Sequence, residues 1–163
     1  MVNKNEDILF FIARRVQELR SARDKSQDAF ARLVGCHRSF VSQVERGVRN
    51  LSVDTIDRFA TALHVDAVSL FQDSEVPRDL HNTMPLRERV STNVLALRSR
   101  PGGLSQDALS ERAGLSRNYV SSLEVRKPNA DLRHLEELAG ALGVPVSALF
   151  APPPKPKGAV AGH

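Results

Sequence analysis

Residues 26–47 read "SQDAFARLVGCHRSFVSQVERG", and residues 105–126 read "SQDALSERAGLSRNYVSSLEVR". Each stretch opens with a serine suited to capping a helix and an aspartate suited to the positive end of its dipole. Each then runs in helical pattern to a glycine, Gly35 or Gly114, where a left-handed C-cap is expected. A second short helix follows at once, predicted from about residue 38 and again from about 117.

A shift of 79 residues lays Ser26–Phe71 on Ser105–Phe150 without a gap, and 16 of the 46 positions are identical. That agreement marks a duplicated unit. Upstream of each repeat, Ile8, Ile12, Val16 and Leu19, and then Leu86, Val90, Val94 and Leu97, fall on one face at helical spacing. Pro85 opens the second of these helices. Ser52 and Asp131 cap a fourth helix, whose apolar sets are Ile56, Phe59, Ala60, Leu63 and Leu135, Leu138, Ala139, Leu142. A short fifth helix is predicted to end each unit at "SLF" or "ALF". No segment alternates with period two for long enough to be a strand.

The expected organisation is all-α. A first unit at 1–72 and a second at 85–151 are joined by a polar linker at 73–84. A disordered Pro-rich tail at 152–163 follows.

Composition limits the functions open to such a chain. It has 163 residues, of which 41% are hydrophobic and 26% charged, enough for a real core under a water-compatible surface. One cysteine excludes an internal disulfide framework and fits a reducing cytoplasm. The apolar run at 8–13 is too short for a signal peptide and follows Glu6 and Asp7. No stretch approaches the roughly 20 apolar residues of a membrane helix. Net charge is +4, and all of the excess lies beyond residue 75, so a surface for a polyanion must be local.

Cys36 beside His37 raises the question of a metal or nucleophilic site. The repeat has Leu115 and Ser116 in those places. Cys36 therefore reads as a small apolar plug and His37 as an N-cap. No further Cys or His is spaced to complete a zinc site. No phosphate-cradling glycine loop or paired-carboxylate motif stands out, so no cofactor, metal or enzymatic role is expected.

The two quoted stretches resemble the helix-turn-helix of lambda-repressor-like, Cro/Xre-type DNA-binding domains. The shared features are the Ser-Gln opening, Ala31, the turn glycine, the Val-Ser pair and a glutamate near the end of the third helix. The second copy departs from the pattern where Ser110 replaces the alanine and Arg126 the closing glycine. The resemblance covers nearly all of 8–72 and 86–150. It implies two tandem five-helix domains and a sequence-specific regulator, most simply a repressor, of double-stranded DNA.

The residues support that implication physically. Val41 and Val44 point one way on the third helix, while Arg38, Ser39, Ser42 and Gln43 lie on the other side. The repeat offers Arg117, Asn118, Ser121 and Ser122 in the same places. Arginine can chelate guanine and glutamine adenine, and a helix fits the major groove. The resemblance gives these outward positions base-reading roles. Gln27 and Gln106, at helix N-termini, would meet phosphates. So would Arg46, Arg49 and Asn50, with Arg126, Lys127 and Asn129 in the second unit. The resemblance also pairs Arg20 with Glu45 and Arg98 with Glu124 as structural salt bridges.

The scaffold positions repeat, but Ser39 stands against Asn118 and Gln43 against Ser122, so two related but unequal half-sites are expected. Two alternatives stay open: DNA binding by the first unit alone with the second serving dimerisation, or a helical, antitoxin-like adaptor that binds protein. Phe10, opposite the core face of its helix, is a candidate seed for a homodimer. The expected location is cytoplasmic, on the nucleoid.

Overall fold

The computed structural model describes residues 7–154; the expectations for 1–6 and 155–163 lie outside the described residues. The first unit consists of α1 (Ile8–Ser21), α2 (Gln27–Val34), α3 (Arg38–Glu45), α4 (Val53–Ala62) and a 3-10 helix (Ala67–Leu70). The second consists of α5 (Leu86–Arg98), α6 (Gln106–Arg112), α7 (Tyr119–Arg126), α8 (Leu132–Leu142) and α9 (Ser147–Phe150). Among the described residues the only extended pairings are two isolated bridges, Ser52 with Asp131 and Val65 with Pro77. The fold is all-α.

The helix starts follow side-chain chemistry. The Ser26 and Ser105 hydroxyls accept hydrogen bonds from the Ala29 and Ala108 amides, each at 3.1 Å. Loss of such a cap costs about 1 kcal/mol. Gly35 and Gly114 take the turns between helices at φ 76° and 68°, a region that favours glycine. Phe30, Val41, Ile56 and Phe59 are fully buried in the first unit, with Phe30 edge-on to Phe59 at 5.3 Å. Leu109, Val120, Leu135 and Leu138 fill the second core. Burying each such side chain contributes roughly 1.5–3 kcal/mol.

Two elements differ from expectation. The fifth element of the first unit is a 3-10 helix: the Ser69 amide donates to the Asp66 carbonyl and the Phe71 amide to the Val68 carbonyl, both at 2.9 Å, and the Asp66 carboxylate caps its start by accepting from the Val68 amide at 3.0 Å. In the second unit the third helix begins at Tyr119 rather than at 117 and runs on through Arg126. Gly47 stops α3 at φ 70°, but Arg126 stands in that place in the repeat. The helix therefore continues, and Lys127 takes the left-handed cap at φ 49°. A non-glycine residue there costs about 1–2 kcal/mol.

The two units pack on each other with reciprocal contacts. The Val53 amide donates to the Ala130 carbonyl at 3.0 Å, and the Leu132 amide donates to the Leu51 carbonyl at 2.8 Å. These residues interchange under the 79-residue shift, so the contact has the form of an approximate two-fold. Phe71 and Phe150, another shifted pair, stack on each other at 4.2 Å and 16°. Residues 73–84 do not form an extended tether. Val76 exchanges bonds with the Asp66 amide and the Ser69 hydroxyl, both at 2.8 Å, and Glu75 pairs with Arg23 at 2.9 Å.

Candidate nucleic-acid interface

On α3 the buried Val41 and Val44 anchor the helix to the core, which leaves Arg38 and Ser39 exposed and Ser42 and Gln43 half-buried at the surface. The second unit repeats the arrangement: Val120 and Leu123 are buried, Arg117 and Asn118 exposed, Ser121 and Ser122 half-buried. The side chain of Arg38 is 64% exposed and that of Arg117 is 82% exposed. Each leans on an acid near the start of the preceding helix, Arg38 on Asp28 at 3.7 Å and Arg117 on Asp107 at 3.2 Å. Such exposed pairs are worth little in stability, but they bias where the guanidinium sits. Arg117 and Asn118 lie in the turn before α7, so they reach outward from a helix start rather than from a helix flank.

One carboxylate ties three helices together in each unit. Arg20 of α1 donates through Nε to one oxygen of Glu45 at 2.5 Å and through NH2 to the other at 2.9 Å. Gln27 of α2 adds its side-chain amide at 3.0 Å. Arg98 and Gln106 do the same for Glu124, with NH2 at 2.8 Å and the amide at 2.6 Å. Glu45 and Glu124 are nearly buried, at 5% and 7% side-chain exposure. An acid that would repel phosphate is thereby neutralised. Gln27 and Gln106 keep an amide oxygen and one N–H beyond this bond. The hydrogen bonds that Arg20 donates to Glu45 raise its pKa against the opposing effect of burial.

Burial pushes the Glu124 carboxyl up, but the bonds from Arg98 and Gln106 outweigh it and hold the group below its ordinary 4.5. The unfolded chain therefore takes up this proton first. The stabilisation is complete above pH 4.5 and is lost as pH falls through the folded value. Urea midpoints measured between about pH 7 and about pH 3 should fall with acid, and the slope should be shallower in Glu124→Gln.

The basic residues after the third helices divide into two groups. Arg46 and Arg126 are exposed and form no ion pair among the described residues. The Arg49 guanidinium lies over the Phe40 ring at 5.3 Å, and Lys127 Nζ is 3.2 Å from Glu88. Asn50 and Asn129 are used differently from the phosphate-facing role expected of them. The Asn50 amide donates to the Asp131 carboxylate at 2.6 Å, and the Asn129 oxygen accepts from the Asp54 amide at 2.9 Å. The loops that follow α3 and α7 meet at the seam between units, so the Asn50 amide and the Asn129 oxygen are engaged there.

That seam also holds residues the sequence reading passed over. Arg89 donates through NH1 to both Asp66 oxygens at 2.8 and 2.9 Å, and to the Phe150 carbonyl at 3.3 Å. The two side chains are only 10% and 6% exposed, and Arg89 Nε has no partner. Arg87 pairs with Asp54, and Arg133 with Asp7 at 3.0 Å. Those contacts hold the Asp54 and Asp7 carboxyls below their ordinary range.

Cys36 is half-buried against the core, and burial raises its thiol pKa. Phe10 is 56% exposed, and its ring covers Gly47, where an added Cβ would meet it at 2.6 Å. Among the described residues no group of three His, Cys, Asp or Glu could hold a metal, and no helix is long and apolar enough to cross a membrane.

Residues 12–70 match a family model described as a helix-turn-helix domain, and residues 96–149 match a second described as helix-turn-helix. The chain belongs to the Cro/Xre-type helix-turn-helix family of DNA-binding transcriptional regulators and carries two such domains in tandem. It is 36% identical over 78 residues to a hypothetical transcription factor of Neisseria meningitidis, covering 48% of this chain and 73% of that one. It is 42% identical over 69 residues to an uncharacterised HTH-type transcriptional regulator, y4dJ, of Sinorhizobium fredii, covering 42% of this chain and 88% of that one. Among solved structures, the restriction-modification controller protein C.AhdI from Aeromonas hydrophila is 44% identical. That match covers 39% of this chain and 96% of that one, with a TM-score of 0.38.

Proposed function

We infer that one chain binds a double-stranded operator through both units and acts as a repressor by occupying it. The observation that carries this reading is the reciprocal pairing of the units. Dimeric helix-turn-helix proteins present two recognition helices related by a two-fold, and their operators mirror that symmetry. Here the two-fold relates two halves of one polypeptide. Arg38, Ser39, Ser42 and Gln43 read one half-site, and Arg117, Asn118, Ser121 and Ser122 the other. The differences at 39/118 and 43/122 make the half-sites unequal, with a guanine opposite each arginine. Gln27, Arg46, Arg49, Gln106, Arg126 and Lys127 position the chain on phosphates, which fix register without reading sequence. The domains run over 1–72 and 85–151.

Binding selection on random duplexes with the full chain tests this reading. The expected product is a bipartite site with half-site centres about 34 Å apart, bound by one chain. Arg38→Ala should weaken that site about tenfold to a hundredfold and relax one position in one half; Arg117→Ala should relax its counterpart in the other. Affinity should fall steeply with salt. A single half-site lost only with Arg38→Ala would favour DNA reading by the first unit alone. No selected site, with a protein partner bound independently of salt, would favour the adaptor reading.

A further inference from the structure

We propose that the seam between the units is built to accept unlike halves and to reject like ones, so that the pairing surface of a first unit takes a second unit and not another first unit. This goes beyond the DNA-binding reading and stands without it.

The apolar and backbone parts of the seam do not discriminate. Phe71 and Phe150 are the same residue 79 positions apart, and a phenylalanine stack would form equally in a pair of first units or of second units. The reciprocal backbone bonds at 51–53 and 130–132 are likewise indifferent to side chains.

The charges do discriminate. The buried Asp66 belongs to the first unit and the buried Arg89 to the second. The position equivalent to Asp66 is Pro145, and the one equivalent to Arg89, at the 78-residue shift of the first helices, is Phe11. The seam therefore contains this pair once, on one side of the axis. Two first units facing each other would bury two aspartates against phenylalanine. Two second units would bury two arginines against proline. A buried charge without its partner is strongly unfavourable.

The rim carries the same logic with exchanged signs. Asp54 and Arg133 occupy equivalent positions, each the second residue of its helix. Their partners Arg87 and Asp7 both lie at the N-terminal end of a unit's first helix. In the native seam Asp54 and Asp7 each meet a base. In a like pair Leu9 would take the place of Arg87, or Pro85 that of Asp7, so the rim ion pair is lost; the nearest charge, two residues away, is then Asp7 beside Asp54, or Arg87 beside Arg133.

Disulfide trapping in the full chain tests this, with Cys36→Ser throughout so that introduced thiols stand alone. Ser52 and Asp131 are a bridge pair flanked, not joined, by the backbone bonds. In that geometry Cα atoms stand about 4.5 Å apart, within disulfide reach. S52C/D131C should close an intrachain bond under mild oxidation. S52C alone reports pairs of first units and should yield about a hundredfold less linked product. Adding D66N/R89M to S52C removes both buried charges while asparagine preserves the cap at 66, and should raise the interchain product about tenfold or more.

S52C/D54R leaves the buried pair alone. It creates a like-charge contact with Arg87 and, between first units, replaces an acid near Asp7 with a base long enough to reach it, and should raise the product about fivefold. This arm decides the matter if the buried double variant does not fold. The proposal is overturned if the intrachain bond fails to form, if S52C links chains as fast as S52C/D131C closes, or if the charge variants leave the interchain product unchanged.

Discussion

Replacing Glu45 by alanine should lower the unfolding free energy by about 3–5 kcal/mol, a drop in Tm readable by circular dichroism. The Arg20 guanidinium is 12% exposed and spends two donors on that carboxylate. With the acid gone, a nearly buried cation keeps only the Lys25 carbonyl at 2.6 Å as a partner. The Gln27 amide loses its acceptor as well. Glu45→Gln should recover part of the loss, because an amide oxygen still accepts. A variant as stable as the parent would mean that the carboxylate does not join α1, α2 and α3 energetically.

The second large effect is expected at the seam. Arg89→Met removes the partner of Asp66 in a place that is 6% exposed, and should cost about 3–5 kcal/mol. The double variant with Asp66→Asn should recover most of that, because replacing both members of a buried pair is often close to neutral. The measurement is a double-mutant cycle by urea unfolding. Near-additive losses would show that the two side chains act independently.

Much of the architecture could be read directly from the residues. The serine caps, the glycine turns and the apolar sets at helical spacing are local, so they survive translation from sequence to fold. Gly35, Ser26 and Ile56 needed no knowledge of distant residues. The departures arose where a local rule met a substituted residue. Arg126 in the place of Gly47 let α7 run on where α3 stops, and apolar spacing over only four residues could not distinguish the 3-10 turn at Ala67–Leu70 from a turn of α-helix.

The seam was not legible, because its contacts join residues far apart in the chain with no shared pattern. Asn50 looked like a phosphate ligand since it follows a basic loop; that loop meets its own repeat instead. One signal was present in the sequence. At a shift of 79, Asp54 stands against Arg133, and an acid replaced by a base within an otherwise related pair marks a contact in which the two copies play opposite parts.

The segment 73–84, held along the first unit by Val76 and Glu75, has a consequence for dosage. A regulator that must find its twin before it grips an operator responds to the square of its abundance and falls silent on dilution. Two readers born on one ribbon skip that search. Under the reading proposed above, occupancy would follow the first power of the number of molecules, and a cell holding very few copies would retain a graded, thresholdless response.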